Sequence, residues 1–373
     1  FCLGSYWFAE TLMVHIGYEW PSAMAGHLLI TGACTLAPCV FCWLSGYLRK
    51  FIAHGSTGFE LLVWPLFLAA LWLVTEDIRF QAFGGGPWMS LGLAQVDSVI
   101  SAYMPIMGEV GTSFIVVLIS QSLLTLFTSF ETKHKADALI TSGTVVLLLA
   151  TAFFLETIEW TEKTAEALPI AMVQTAVSQS EKQDLSTQQA RLAELSDLSE
   201  PYLGKAKLII WPETAVPLLY DQALPFLNNM SAQAAEHNTT IISGIPYREV
   251  DATSGQSTLH NSIASIGMGD RIYHKQKLVP FGEYVPLQDI LRGLIDFFNL
   301  PMSDFRKGPS GQNLLNAFDY EVAPFICYEV VYPDFVAKQA KNADYLLTIS
   351  NDSWFGNSLG PLQHLEMAQM RAA

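Results

Sequence analysis

Long apolar stretches fill the chain up to about Leu155, and they restrict the fold more than any other feature. The candidate membrane spans are Phe1–Ile16, which we interpret as a shortened span, Ala23–Tyr47, Leu61–Val74 with its flanks, Met107–Phe127 and Ala138–Leu155. A helix needs about 20 apolar residues to cross the bilayer core. Buried helices of a large soluble protein are the alternative, but so many consecutive long stretches are rare there. The pattern predicts a multi-span α-helical membrane domain over residues 1–160.

The charge distribution predicts both the partners and the orientation. A net charge of −15 argues against nucleic acid as a partner, because nucleic acid needs a basic surface. Two alternate loops carry the basic residues Arg49, Lys50, Lys133 and Lys135, whereas the loops between them are acidic on balance. The positive-inside rule therefore predicts that everything after Thr157 is extracytoplasmic. Because the first span begins in its middle and no signal peptide precedes it, we interpret the sequence as a fragment.

Cysteine usage isolates one thiol. Cys2, Cys34, Cys39 and Cys42 fall in the predicted spans, where the CVFC spacing lacks a second ligand pair for zinc. Cys327 is the only cysteine downstream of residue 42, so it has no disulfide partner in its predicted oxidising compartment. The residue is therefore either a buried packing residue or a nucleophile.

The second part of the chain, residues 161–373, reads as an α/β domain. Short β-type runs such as AKLIIWPE, TTIISGIPY and YEVAPFICYE alternate with helical stretches such as LPFLNNMSAQAAEHN and YPDFVAKQAKNA. Nearly continuous apolar strands between helices predict a layered fold with both sheet faces covered. In such folds, polar residues at the carboxyl ends of strands usually form the site.

Three of these strands end in chemically useful groups. Glu213 follows the run LIIWP, and Lys275 follows RIYH, with Glu283 in the loop beyond. Cys327 follows PFI, at the point where a strand turns toward a helix. This set of groups suits acyl transfer through a thioester. The carboxylate would take the thiol proton, the thiolate would attack a carbonyl, and the ammonium would stabilise the oxyanion that forms. Each residue alone has a plainer interpretation: a solvated carboxylate or helix cap, a loop charge, and a packing thiol. Only the combination is specific.

Four blocks carry a family resemblance: WPETAVP, YHKQKLVPFGEYVPL, ICYEVVYPDF and LLTISNDSWFGNSLGPLQHLEMAQMRA. They resemble, in order and spacing, the signature blocks of the apolipoprotein N-acyltransferases, which are bacterial inner-membrane enzymes with a periplasmic domain of the nitrilase superfamily. LAALWLVTEDIR and GGGPWMSLGLAQ extend the resemblance into the spans. The implied fold is a multi-span helical domain followed by a nitrilase-type α-β-β-α sandwich, both truncated.

The resemblance also implies roles for individual residues. Glu213 would be the general base, Lys275 the intermediate-stabilising lysine and Cys327 the acyl-accepting nucleophile, with Glu283 as a supporting carboxylate. The residues that would line the pocket are Tyr328, Glu329 and Trp354. The implied donor is a phospholipid, typically phosphatidylethanolamine, and the implied acceptor is the N-terminal amine of a diacylated apolipoprotein. No metal or soluble cofactor is implied.

Two features qualify the resemblance. Gln183 stands where the family usually has an aromatic residue, which affects one expected substrate contact. The resemblance implies that the sequence begins after the family's first two spans and ends before the rest of the sheet and the last span. LRGLIDFFNLPMSDF, with its apolar residues around Phe297 and Phe298, is interpreted either as a mobile arm that admits acyl chains or as an ordinary core helix.

Other functions remain open at the level of sequence. A membrane-tethered nitrilase-type amidase, or a conjugation-associated paralogue with another acceptor, would use the same Glu-Lys-Cys set. A non-catalytic membrane scaffold is disfavoured, because a binding module does not need all three groups.

Overall fold

The structure, a computed structural model, describes residues 1–373 except 15, 53–56, 83–87, 132–134, 163–166, 176–184, 252–254, 281 and 285–304. It divides into two compact units. The helical unit comprises Phe1–Met13, Tyr18–Thr164 and Ser358–Ala373, and the sandwich unit comprises Val14–Gly17 and Ala165–Asn357. The predicted division between residues 160 and 161 stays a prediction, and the last segment of the chain packs with the helical unit.

Six α-helices among the described residues build the helical unit. They are α1 Trp7–Val14, α2 Trp20–Ile52, α3 Thr57–Gln81, α4 Met104–Glu131, α5 Lys135–Glu156 and, from the chain's end, α9 Gly360–Ala372. Within the described residues, four segments are long and apolar enough to cross a membrane: Trp20–Phe51, Leu61–Gln81, Val99–Glu131 and Lys135–Glu156. They coincide with four of the predicted spans. The first predicted span contains α1, whose 8 residues are fewer than a crossing requires.

The long helices expose large apolar side chains. Leu29, Leu139 and Leu147 are 76%, 76% and 66% exposed, respectively. A helix that is apolar around most of its circumference is typical of a membrane span, because hydrocarbon solvates such side chains and water does not. These helices identify the chain as a membrane protein.

A buried ion pair joins α4 to α9. Arg371 Nη2 lies 2.5 Å from Glu109 Oε2, and the two side chains are only 8% and 3% exposed. Ser90 donates a hydrogen bond to the other oxygen of Glu109. Glu109 follows Gly108, whose φ of 63° and ψ of −168° interrupt α4 at this point. We call Ser90, Glu109 and Arg371 the ionic staple of the helical unit.

Gln363 makes a second connection between α9 and the rest of the helical unit. Its Oε1 accepts hydrogen bonds from Trp7 Nε1 at 3.2 Å and Trp88 Nε1 at 2.7 Å, and its Nε2 donates to the carbonyl of Gly4 at 2.9 Å. A half-buried side-chain amide whose oxygen and nitrogen both have partners fixes the orientation of the helix that carries it. Helix α9 is thereby held in one register.

The sandwich unit contains three α-helices and eight strands among its described residues. The helices are α6 Gln188–Ser199, α7 Tyr220–Glu236 and α8 Pro333–Ala340. The strands are β1 Ile170–Met172, β2 Leu208–Ile210, β3 Thr240–Val250, β4 Ser257–Gly267, β5 Ile272–His274, β6 Leu315–Ala317, β7 Tyr320–Ile326 and β8 Tyr345–Ile349. The predicted runs AKLIIWPE, TTIISGIPY and YEVAPFICYE contain β2, most of β3, and β7, and the predicted helices LPFLNNMSAQAAEHN and YPDFVAKQAKNA contain most of α7 and all of α8. The short strand β6 is not among the predicted elements.

The strands form two sheets. The first has the order β1-β2-β3-β4-β5, with β1, β2 and β3 parallel and the remaining pairs antiparallel. The second has the order β6-β7-β8, in which β7 and β8 are parallel and Ile326 pairs with Ile349. Cys327 and Ser350, the next residues of these two strands, therefore leave the sheet side by side.

Two apolar cores define the layers. One face of α7, formed by Ala223, Leu227, Met230 and Ala234, packs with Ile209, Ile241 and Ile245 of the first sheet. The spacing of three and four residues predicts such a face, and each large buried side chain contributes about 1.5–3 kcal/mol. The other core lies between the sheets and joins Ile242 and Ile263 to Val322 and Ile326. On the far side, Phe335 of α8 contacts Phe325. The unit is therefore the predicted α-β-β-α sandwich.

Candidate active site

Glu213, Lys275 and Glu283 come together at one end of the sandwich. Lys275 Nζ lies 2.8 Å from Glu283 Oε1 and 3.8 Å from Glu213 Oε1. Lys275 is 1% exposed, and the two carboxylate side chains are 9% and 8% exposed. One ammonium therefore faces two carboxylates in a site shielded from water, where electrostatic interactions are strong.

The two carboxylates affect the lysine. Burial by itself lowers the pKa of Lys275, but the charges of Glu283 and Glu213 outweigh it and raise the pKa above its ordinary value. Lys275 is therefore an ammonium at neutral pH. A fixed positive charge of this kind can stabilise an oxyanion.

Asn261 completes this cluster and was missed by the sequence analysis. Its Nδ2 donates to Glu213 Oε1 at 2.7 Å and to Glu283 Oε1 at 3.0 Å. The Lys275 N–H donates to the Asn261 carbonyl at 2.8 Å, which continues the β4–β5 ladder and puts the two side chains next to each other. A lone Asn within a strand carries no sequence signal for this role, since only the register brings it to the carboxylates.

Glu213 is positioned by its own turn and by two neighbours. Pro212 precedes it, and Thr214 after it has a φ of 52°, so the chain bends sharply away from β2. The Asn351 N–H donates to Glu213 Oε2 at 2.8 Å. A Cβ on Gly244 of β3 would lie 2.6 Å from the Pro212 carbonyl oxygen and the Glu213 Cα. Only glycine permits this close approach of the two segments.

Cys327 occupies a strained turn at the end of β7. Its φ is 51°, a left-handed value that is uncommon for a residue with a Cβ. The strand ends at Ile326, and a 3₁₀ helix runs from Cys327 to Val331. A nucleophile on a sharp strand-to-helix turn projects its side chain out of the sheet. Such strain is often found where function requires one geometry.

The surroundings of the thiol keep it protonated. Burial raises the pKa of Cys327 well above its ordinary value, the charge of Glu213 raises it further, and Lys275 acts in the opposite direction. Both predicted partners are thus close enough to influence the sulfur electrostatically. A thiol in this state needs a base to become a nucleophile.

The loop after β8 contributes contacts that the sequence did not indicate. The Ser350 side chain hydrogen-bonds to Cys327, and Ser350 Oγ donates to Asp352 Oδ1 at 2.5 Å. A carboxylate oxygen of Asp352 lies within 4.8 Å of Cys327 Sγ. Because β7 and β8 are parallel neighbours, their carboxyl ends meet, and residues 350–352 adjoin the thiol.

Glu329 connects the cysteine turn to the lysine strand. Its carboxylate accepts hydrogen bonds from the N–H groups of Ile326, Gln276 and Lys277, at 2.9, 2.6 and 3.0 Å, and from the Tyr273 hydroxyl at 2.9 Å. Burial raises the pKa of Glu329 to about 7, although the three N–H groups and Lys275 act to lower it. The side chain is 0% exposed, which favours a positioning role over contact with substrate.

The other predicted pocket residues have different outcomes. Tyr328 is half-buried, and its ring contacts that of Tyr332 at 5.4 Å. Trp354 is half-buried in the 3₁₀ helix Asp352–Phe355. Gln183 lies outside the described residues, as does the proposed arm except Phe305. The predicted roles of all these residues stay predictions.

Fold and site together define a class of protein: an α-β-β-α sandwich, joined in one chain to membrane helices, with Glu, Lys and Cys at its strand ends. The carbon-nitrogen hydrolase model matches residues 169–373, and the model of the apolipoprotein N-acyltransferase N-terminal domain matches residues 1–122. The chain belongs to the carbon-nitrogen hydrolase family.

Named relatives agree with this family. An apolipoprotein N-acyltransferase of Pseudomonas aeruginosa (strain LESB58) is 47% identical over 309 residues, which cover 82% of this chain and 59% of the relative. One of Vibrio parahaemolyticus is 36% identical over 89% of this chain and 64% of the relative. The chain thus spans about six tenths of their length. A carbon-nitrogen hydrolase structure from Helicobacter pylori G27 has a TM-score of 0.33 and 18% identity, covering 49% of this chain and 59% of that one.

Proposed function

We propose that this protein transfers an acyl chain from a phospholipid, through a thioester on Cys327, to the N-terminal amine of diacylglyceryl-cysteine in apolipoproteins. The observation that carries the proposal is the buried cluster in which Glu213 and Lys275 influence a strained, protonated Cys327. The name of the relatives supports an apolipoprotein as the acceptor, and the membrane helices support a lipid as the donor.

In the first half of the reaction, Glu213 takes the proton of the Cys327 thiol and the sulfur attacks the ester carbonyl of the donor. The S–C bond forms, and the developing oxyanion is stabilised by Lys275, which Glu283 orients at 2.8 Å. The ester C–O bond then breaks. The proton on Glu213 passes to the departing oxygen, so that a lysophospholipid leaves and the thioester remains.

In the second half, the amine of the acceptor attacks the thioester carbonyl. The C–N bond forms, the C–S bond breaks, and the proton lost by the amine returns through Glu213 to the sulfur. Because Glu213 serves as base and acid in turn, the site returns to its starting state after each cycle.

We further infer that the phospholipid is phosphatidylethanolamine and that the sandwich unit lies on the periplasmic side of the inner membrane. The support for the side is the distribution of basic residues: Arg49, Lys50, Lys133 and Lys135 fall between predicted spans, at span ends that share one predicted side. Labelling of single introduced cysteines with a membrane-impermeant reagent, in a Cys-depleted background, tests this. Protection of sandwich-unit positions in intact cells would reverse the orientation.

The deciding experiment uses the full-length protein with phosphatidylethanolamine and a diacylated lipopeptide. Mass spectrometry is expected to detect an acyl adduct on Cys327 without acceptor and a triacylated peptide with it. Hydrolysis of the adduct at the same rate with and without lipopeptide would identify an amidase-like or esterase-like enzyme instead. Absence of any adduct would remove the thioester mechanism.

A further inference from the structure

A basic and aromatic surface adjoins Cys327 and has no role in the chemistry described above. Tyr328 follows the cysteine, its hydroxyl is hydrogen-bonded to that of Tyr332, and Tyr284 lies close enough to act electrostatically on both. Lys277 and Lys307 each place an ammonium over one of these rings. We call Tyr284, Tyr328 and Tyr332 the tyrosine rim.

The two lysines are held against the rim. Lys277 Nζ lies 4.9 Å from the ring centroid of Tyr332, and Lys307 Nζ lies 5.5 Å from that of Tyr284. A cation over a ring face is attracted by the quadrupole of the ring, which restricts a side chain that is otherwise flexible. The two ammonium groups are therefore positioned at the rim.

Backbone contacts fix both lysines relative to the catalytic cluster. The Lys277 N–H donates to Glu329 Oε1 at 3.0 Å, and Glu329 is two residues beyond Cys327. The N–H of Gly308, next to Lys307, donates to the Lys275 carbonyl at 2.8 Å. A Cβ on Gly308 would lie 2.5 Å from the His274 carbonyl oxygen, so this close approach requires glycine. Both lysine backbones are thus tied to residues that hold Lys275 and Cys327.

The chemistry of this surface suits a phosphodiester. Ammonium groups attract a phosphate, and tyrosine hydroxyls donate to its oxygens. Burial raises the pKa of Tyr328 and raises that of Tyr332 to about 12, so both hydroxyls keep their protons at neutral pH. On a chain with a net charge of −15, a positively charged surface beside the nucleophile favours an anionic group at this place.

We propose that Lys277 and Lys307, with the tyrosine rim, bind the phosphate of the glycerophospholipid that donates the acyl chain. This inference rests on the proposed function and assigns residues to the recognition of its donor. Binding the phosphate here directs the adjacent ester toward Cys327. It also explains how an acidic protein accepts the negatively charged phosphate of its donor.

The test compares two acyl donors with the same chains in detergent micelles: phosphatidylethanolamine and phosphate-free diacylglycerol. Acylation of Cys327 in the full-length protein is followed by mass spectrometry for wild type and for Lys277→Gln/Lys307→Gln. The double variant is expected to lose roughly tenfold or more in kcat/KM for the phospholipid relative to diacylglycerol, since a hydrogen bond to a charged group contributes about that factor. Lys338→Gln/Lys341→Gln, which removes two exposed lysines at α8, is the matched control.

The outcomes separate this inference from the proposed function. One outcome is that wild type acylates Cys327 while the double variant loses the same factor in kcat/KM for both donors. That result overturns the phosphate assignment but leaves the proposed function standing. If wild type forms no adduct with either donor, the proposed function itself has failed. Inorganic phosphate is added in a further arm. Inhibition that is equal for both donors at low millimolar concentration would identify a site for free phosphate and overturn the headgroup assignment.

Discussion

The two units each bury a cluster of charged side chains, but the clusters differ in charge balance. In the ionic staple one carboxylate meets one guanidinium, and Ser90 satisfies the second oxygen of Glu109. In the sandwich unit two carboxylates share one ammonium beside a thiol. A buried pair of one anion and one cation mainly fixes the relative position of its two helices, since the cost of removing both charges from water offsets most of their mutual attraction. An unbalanced cluster with a thiol next to it has a carboxylate available to accept the thiol proton. Burial of charge alone therefore does not mark an active site.

The largest effect is expected at the thiol. Cys327→Ala removes the sulfur atom that is proposed to accept the acyl chain, so formation of the triacylated peptide is expected to fall at least about a thousandfold. Product formation is measured by mass spectrometry on protein of verified folding. Cys42→Ala, an exposed cysteine on α2, is the control and should retain product formation. Unchanged product yield with Cys327→Ala would place the reaction elsewhere.

Loss of the base comes next. Glu213→Gln keeps the shape of the side chain but cannot accept the thiol proton, so acylation of Cys327 is expected to slow by about 10²–10⁴-fold. Because the pKa of Cys327 is raised, the thiolate fraction below that pKa increases about tenfold per pH unit. The variant should therefore regain rate as the pH rises from 7 to 9, measured by adduct formation. A rate that is independent of pH would argue against Glu213 as the base.

A substitution at Gly244 should test whether the position of Glu213 matters separately from its charge. Gly244→Ala puts a Cβ 2.6 Å from the Glu213 Cα and so displaces the carboxylate while leaving every charge in place. Because small displacements of a catalytic group are costly, the acylation rate is expected to drop by about a hundredfold. Gly143→Ala in α5, where a Cβ meets nothing within 4 Å, is the matched control. Equal rates for the two variants would contradict this positioning role.

Substitutions in the ionic staple are expected to change the free energy of unfolding rather than the rate of Cys327 acylation. Arg371→Gln leaves Glu109 buried without its cation, which is expected to cost about 3–5 kcal/mol in unfolding free energy. The pair Glu109→Gln/Arg371→Gln should recover most of this loss, because no uncompensated charge remains. Thermal unfolding in detergent measures both. At the active site the equivalent double neutralisation, Glu213→Gln/Lys275→Gln, should not restore activity. Recovery of activity in this double variant would contradict the conclusion that the two clusters have different roles.

The smallest expected effect is a pH dependence next to the site cluster. Burial and then the neighbouring His260 lower the pKa of His274 to about 4, below its ordinary value of 6.5. Between these values the unfolded chain binds the proton and the folded protein does not, so stability falls as the pH drops from 6.5 to 4. Hydrogen exchange of β4 and β5, corrected for intrinsic rates, should accelerate on acidification in wild type and less so in His274→Gln. Exposed His237→Gln is the control, and identical profiles for both variants would contradict this.

Sequence patterns determined the elements and the chemistry at their ends. Hydrophobic length alone predicts the spans, since a bilayer requires about 20 apolar residues whatever the neighbours are. The apolar runs of β2, β5 and β7 predict where these strands end. The residues just beyond those ends supply a carboxylate, an ammonium and a thiol, which belong to Glu213, Lys275 and Cys327. These signals are local, so they survive without knowledge of the fold.

Only the tertiary structure decided which side chains support these groups. The amide of Asn351 binds Glu213 across 138 positions of sequence, and Asn261 reaches both carboxylates through the register of β4 and β5. Gly244 matters because β3 passes under the Glu213 turn, and Arg371 because α9 packs on α4. Strand pairing and helix packing set these contacts. Neither leaves a periodic trace in the residues themselves, because each depends on a partner segment far along the chain.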